Sequence, residues 1–303
     1  MFDHFLVSVV IIPPLLVLAV RLIADRLTPQ TAAVAVTWSA AGAALAGLLN
    51  VLVFALKAVA EIPAVGLLFG WSARIVRADT GHVPWVSWLS VALLAAIGVR
   101  VIVVHRRQHR LLALAGIGAA PAGHVQVVPD DVPRAFAVPG DPGHVVVTTG
   151  MRELLSPEQF EALLAHEHAH LAARHHRLIQ LSELAAAAHP ALWWVARHVD
   201  YLVERAADEY AATRIGCRRT LARAIGTAAL AASAASPAGP GLHAASPGGV
   251  VPRRVARLLK PRAGRGAAIL YLAPIGLAVF SLAWTAEAAY DLGELIHAAW
   301  DRP

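Results

Sequence analysis

Residues 31–56 read TAAVAVTWSAAGAALAGLLNVLVFAL, 26 positions without one charged side chain. A bilayer-spanning helix needs about 20 mostly apolar residues to cross a ~30 Å hydrocarbon layer, and this stretch exceeds that length. Working outward, Phe2 to Ile23, Val83 to Val104 and Ala267 to Ala286 meet the same criterion. Composition agrees: of 303 residues 57% are hydrophobic and only 15% charged, and the mean hydropathy of +0.58 exceeds what a soluble surface tolerates. A disordered chain, a collagen-like fibre and a disulfide-stapled module are excluded, since Cys217 is the only cysteine. The expected fold is a mainly α membrane protein with four transmembrane helices.

The first span carries Asp3 at its start, Arg21 at its end and the pair Pro13 and Pro14, which a membrane helix accommodates as a kink. Without a basic leader it reads as an anchor rather than a secretory signal. Arg100 in the third span is placed to snorkel. Ala58 to Ala73 is interrupted by Pro63, Gly66 and Gly70, and reads as re-entrant or interfacial rather than as a fifth span. Arg106, Arg107 and Arg110 follow span three, and Arg253, Arg254, Arg257, Lys260, Arg262 and Arg265 precede span four. By the positive-inside rule both flanks are cytoplasmic, with the amino terminus and the tail after Ala286 outside. The expected organisation is 1–104 with three spans, a cytoplasmic unit at 105–266, and 267–303 with the fourth span and a short tail. The net charge of +6 then reflects topology and lipid contact, and no nucleic-acid binding is expected.

Within 105–266, His124 to Val128 and His144 to Thr149 are short β-branched runs, the second set off by Pro139-Gly140 and Pro142-Gly143, so a small sheet is expected. Ser156, Pro157 and Gln159 form a capping box that starts a helix running to about Ala173, with Phe160, Leu163, Leu164 and Leu171 on a buried stripe. Further helical patterns cover Arg177 to Ala188, Ala191 to Ile215 and Arg218 to Ala235. Ser236 to Val251 is Ala-, Ser-, Pro- and Gly-rich and reads as a linker.

The capped helix carries His166-Glu167-His168-Ala169-His170, the pattern H-E-x-x-H. Histidines four apart share a helix face and can present two ring nitrogens to one zinc ion. Glu167 beside the ion is suited to take a proton from a water whose pKa zinc lowers to roughly 7. Glu204 and Asp208 follow as E-x-x-x-D, 34 residues past His170. Glu204 suits the third ligand, and Asp208, one turn on, suits the other ring proton of His166.

H-E-x-x-H followed by E-x-x-x-D resembles the gluzincin metallopeptidases. The stretch from Ala135 to Thr213, containing VVVTTGMRELLSPEQFEALLAHEHAHLAARHH, HPALWW and ERAADEYAA, resembles the BlaR/MecR-type membrane peptidases in particular, while ADEYA is also similar to HtpX and prenyl-protein peptidases. This resemblance implies a small α+β gluzincin-like zinc peptidase unit, with metal ligands His166, His170 and Glu204, general base Glu167 and supporting Asp208. It further implies cleavage of a cytoplasmic protein, a transcriptional repressor or the peptidase itself; the HtpX side implies membrane-protein quality control. The penicillin-binding sensor of BlaR/MecR receptors is not expected, because only Glu287 to Pro303 follow the last span.

Other histidines carry less. His168 falls roughly 160–200° around the helix from the pair, and His168, His175 and His176 suit exposed or supporting roles. His144 to Thr149 suits either an edge strand that pairs with an extended peptide or plain sheet structure. For the oxyanion donor, His189, Tyr201, Tyr210 and Arg214 stand open. Trp193 and Trp194 read as packing or interfacial anchors, and Cys217 as a small buried residue. The rival from another class is a non-catalytic sensor or scaffold, whose structural zinc would usually need a fourth protein ligand. A transporter fits less well, since the histidine cluster lies outside every span.

Overall fold

The computed structural model describes residues 1–23, 26–115, 125–141, 143–235, 249–260 and 268–301. Among the described residues four helices are long and apolar enough to cross a membrane: α1 (Phe2–Ile23, with a π-helical turn at Leu6–Ile11), α2 (Pro29–Ala60), α5 (Trp85–Ala115, candidate span to Arg110) and α12 (Leu272–Trp300). Between α2 and α5 lie two short helices, α3 (Pro63–Phe69) and α4 (Ala73–Ala78). Gly70 ends α3 in the left-handed region at φ 83°, where a side chain would be strained.

α12 runs beyond the expected end at Ala286. Its polar residues find partners: Asp291 Oδ2 lies 3.0 Å from His4 Nε2, Ser72 N donates to the Ala299 carbonyl, and the Trp300 indole donates to the Phe69 carbonyl. The 63–78 segment thereby closes over one end of the bundle. Residues 236–248 of the expected 236–251 linker, His124, Pro142, and the basic residues Arg262 and Arg265 lie outside the described residues, while Val250 and Val251 already belong to a helix.

Among the described residues the remaining chain forms a three-stranded mixed sheet and six α-helices. The strands are β1 (Val125–Val128), β2 (Ala135–Val138) and β3 (His144–Thr148), in the order β1-β3-β2. β3 pairs parallel with β1 and antiparallel with β2, with Phe136 opposite Val146. Of the two readings of 144–149, plain sheet structure holds and the peptide-pairing edge does not. β3 is the central strand and buried throughout, so it cannot receive a peptide; β1 and β2 are the edges of the described sheet. The burial follows from the unbroken Val145-Val146-Val147 run, which has no polar face.

The helices are α6 (Thr149–Leu154), α7 (Pro157–Ala172), α8 (His175–Ala188), α9 (Trp193–Ile215), α10 (Arg218–Ala235) and α11 (Val250–Leu259). Cys217 is exposed rather than buried, because Gly216 stops α9 and leaves it in the turn before α10.

Membrane helices and H-E-x-x-H unit share one core. Leu16 and Val20 of α1, Val36 and Ala40 of α2, and Val195, Val199 and Leu202 of α9 belong to a single buried cluster. α2 packs against α12, α5, α8 and α9, and Gln108 on α5 donates to Glu183 of α8 at 2.8 Å. Leu202 is fully buried in that shared core. Leu202→Ala is therefore expected to destabilise the whole chain by ~2–5 kcal/mol. Thermal melts in detergent, followed through both the membrane and the H-E-x-x-H parts, should shift together; a shift confined to one part would contradict a common core.

Candidate metal centre

The register of α7 is set at its first turn. Ser156 Oγ accepts from Gln159 N at 3.3 Å and Gln159 Oε1 accepts from Ser156 N at 3.1 Å, with Pro157 at a position that needs no amide hydrogen. Ten residues on, the rings of His166 and His170 share a face, their Nε2 atoms 3.2 Å apart. α9 packs across α7 and delivers Glu204, with Oε2 3.6 Å from His166 Nε2 and Oε1 3.6 Å from His170 Nε2. Donors held tetrahedrally at ~2.0–2.1 Å from one zinc ion would be ~3.3–3.4 Å apart. The three side chains fit such an ion, and two imidazoles with one carboxylate is a donor set that zinc accepts.

Each ring is held from behind. His166 Nδ1 lies 3.0 Å from Asp208 Oδ1. His170 Nδ1 lies 3.1 Å from His175 Nδ1, and His175 Nε2 lies 2.8 Å from Gln30 Oε1 on α2. An amide oxygen only accepts, so His175 donates there through Nε2 and must accept from His170 through Nδ1. That leaves the Nε2 lone pair of His170 pointing at the shared centre. His175, which spacing alone left in a minor role, is thus the positioning partner of His170.

Arg254 was legible only as one of the cations flanking span four, and the structure corrects this. It is buried, donates through Nε and Nη2 to the two oxygens of Asp208 at 2.8 and 2.7 Å, and places Nη1 2.6 Å from Glu204 Oε2. Buried Asp208 and partly buried Glu204 together attract a cation strongly enough to draw an arginine inward from a helix that lies next to the membrane in sequence.

The charges follow from these contacts. Burial opposes charge on His166, but Asp208 and Glu204 outweigh it and carry its pKa up to about 9. Burial and the charge on His166 depress His170 to about 4 despite Glu204. Burial works to raise Glu204 and Asp208, yet His166 and Arg254 hold both below the usual carboxylate range. Glu167 differs: burial raises its pKa, only partly opposed by His166 and by a backbone hydrogen bond from Ala137.

A cleft of about 390 Å³ opens over His166, His170, Glu204 and Glu167, and its far wall is Ala135, Phe136 and Ala137 of β2. His176 also lines it. The four oxyanion candidates do not. His189 donates to the Val9 carbonyl and caps a short helical turn, while Tyr201 and Tyr210 line other cavities and Arg214 is exposed. His168 turns away, its Nδ1 2.7 Å from the Leu164 carbonyl.

Arg254→Ala should cost ~3–5 kcal/mol of stability, because it leaves Asp208 buried without its guanidinium. Arg254→Lys should recover less than half, an ammonium being unable to make the two-point contact. Denaturant titration of the detergent-solubilised chain measures both. Equal stability of Arg254→Ala and the parent would mean that Asp208 draws its stabilisation elsewhere.

Comparison with known proteins converges on the same region. The model of Peptidase family M48 matches residues 102–188, a segment that contains α7 and ends before Glu204. A Protease HtpX homolog of Levilactobacillus brevis is 28% identical over 130 residues, covering 34% of this chain and 44% of its own length. A Protease HtpX homolog of Methanocaldococcus jannaschii is 34% identical over 137 residues, covering 45% and 39%, and one of Moorella thermoacetica 38% over 85 residues, covering 27% of each. The chain spans less than half the length of these curated relatives. No solved structure matches. These matches support the HtpX side of the resemblance and leave the BlaR/MecR-type assignment without support. With its four membrane-length helices and a His-His-Glu group able to hold a metal, the chain is similar to the membrane metallopeptidases of family M48.

Proposed function

We propose that this chain is a membrane-embedded, zinc-dependent endopeptidase that hydrolyses a protein substrate. The observation that carries the proposal is the convergence of His166, His170 and Glu204 beside buried Glu167, at the foot of an open strand edge. Among the described residues the group has three donors, which suits a catalytic site with one place open better than a closed structural site.

Zinc bound there would supply Lewis acidity toward a scissile carbonyl and lower the pKa of water. Glu167 is the general base: its raised pKa suits it to take a proton from water and return it to the leaving amine. Asp208 and His175 hold the ring tautomers, and Arg254 keeps Asp208 and Glu204 ionised. β2 bonds to β3 on one side and borders the cleft on the other, so an extended substrate can add as a further strand beside Glu167. Phe136, exposed on that strand, offers an apolar contact.

The catalytic unit, residues 105–266, is assigned to the cytoplasmic side on the strength of Arg106, Arg107, Arg110 and Lys260 flanking its spans. Within that assignment, a membrane protein under quality control is favoured as substrate by the relatives named HtpX homologs. A cytoplasmic repressor, or the peptidase itself, is the second substrate class. Proteomic comparison of cells carrying the parent or Glu167→Gln separates them by which fragments require the active form.

Purified Glu167→Gln should retain metal by elemental analysis and lose ~10²–10⁴-fold of its cleavage of an unfolded protein. Cleavage at the parental rate would remove Glu167 from the role of base, and a parent that binds metal without any turnover would make the site a scaffold. His166→Ala and Glu204→Ala should lose the metal itself. His175→Ala should weaken zinc binding by ~10–100-fold, read in competition with a chromophoric chelator. Unchanged affinity would show that His175 does not orient His170.

A further inference from the structure

Away from the cleft, α1, α9 and α11 line a second, partly open cavity of about 230 Å³. Each contributes an arginine to its wall: Arg21 from the last turn of α1, Arg197 from α9 and Arg253 from α11. Among the described residues no carboxylate lines it, and none of the three has an acid within ion-pair distance. Asp200 on α9 is felt electrostatically by Arg197 but lies outside the lining. All three arginines are exposed at its rim, and an anion set among them would be attracted by each.

The geometry prepares them for one. Arg21 lies over the Trp194 ring at 4.8 Å, Arg197 over Trp193 at 5.5 Å and Arg253 over Tyr201 at 4.5 Å. Stacking uses the flat face of a guanidinium and leaves its in-plane N–H groups to donate. A separate observation points the same way. Tyr201 is only 4% exposed, it lines this cavity, and its hydroxyl has no hydrogen-bond partner among the described residues. A buried hydroxyl left without an acceptor is costly, and an oxygen of an anion held between the arginines would satisfy it.

Position selects the anion. The cavity lies where span α1 ends, beside the exposed Trp193–Trp194 pair, the arrangement expected at a bilayer's headgroup level. We propose that this cavity binds a phosphate headgroup, supplied by an anionic phospholipid of the surrounding bilayer. Its occupant also holds α11 in place: Arg253 faces the phosphate, and the next residue, Arg254, grips Asp208 behind the metal centre.

Native mass spectrometry of the full chain, released from delipidating detergent, tests this without recourse to peptidase activity. The probes are phosphatidylglycerol, phosphatidylcholine with the same acyl chains, and inorganic phosphate. One phosphatidylglycerol should bind in preference to phosphatidylcholine, and Arg21→Gln with Arg253→Gln should weaken it by about thirtyfold. Tyr201→Phe should weaken it by a smaller factor while the chain keeps its melting temperature. Arg106→Gln with Arg107→Gln, exposed on α5, should leave it unchanged. Failure of inorganic phosphate to compete supports the lipid as source; full competition supports the same phosphate site served by a soluble anion. Undiminished phosphatidylglycerol binding by the Arg21/Arg253 variant, or an equal loss in the Arg106/Arg107 variant, overturns the proposal.

Discussion

Two carboxylates one turn apart on a helix, one buried and one at the floor of a cleft, repel each other and need cations beside them to stay ionised. Glu204 and Asp208 impose that constraint. Asp208 is met by the fork of Arg254 on one side and by His166 on the other, and Glu204 by Arg254 and the two histidines. The outcome is a compact array in which every charge has an opposite neighbour at hydrogen-bond or ion-pair range. At the low effective dielectric of such a pocket these contacts fix atoms far more rigidly than surface ion pairs would. Rigid placement is what a metal site asks of its ligands, because a ring displaced by a fraction of an ångström loses the common centre.

The same rigidity reaches into the membrane bundle. Gln30 is the second residue of the longest span, and its amide oxygen selects the tautomer of His175, which in turn orients His170. α9, which brings Glu204, buries Val195, Val199 and Leu202 against α1 and α2. The site therefore cannot move independently of the spans. The distance between the cleft and the apolar spans is thus set by covalent and packed structure rather than by a hinge.

Much of this was legible in the sequence, for local reasons. The capping box at Ser156 fixed where α7 begins, and with it the face that His166 and His170 share. The E-x-x-x-D spacing placed Glu204 and Asp208 on one side of α9 because helical periodicity is insensitive to tertiary context. Arg254 was not legible. Near a span, arginines are read as topology signals, and nothing in VVPRRVARLL says which of two adjacent arginines turns inward. Strand order was likewise hidden, since β-branched runs announce strands without announcing neighbours, and so β3 was open to an edge role that belongs to β1 and β2. The extension of α12 past Ala286 depended on partners hundreds of residues away, His4 among them.

The placement of α11 shows why an arginine, rather than an apolar side chain, fills the space behind the ligands. Elsewhere a buried ion pair can be replaced by well-packed hydrophobic residues at no loss, or even with a gain, in stability. Under the proposed metal role that replacement is closed, because Glu204 would need its negative charge to serve as a ligand and Asp208 its own to hold His166. Adjacent residues on a helix point about 100° apart. Arg253 and Arg254 therefore face different surroundings from one short helix, the first over Tyr201 and the second between the carboxylates, while Leu258 seats the helix against Ala162 and Ala165 of α7. One ten-residue element thus touches the ligand helix, the carboxylate helix and the cavity at the foot of α1. Its amphipathic pattern is required by the site as much as by the membrane surface.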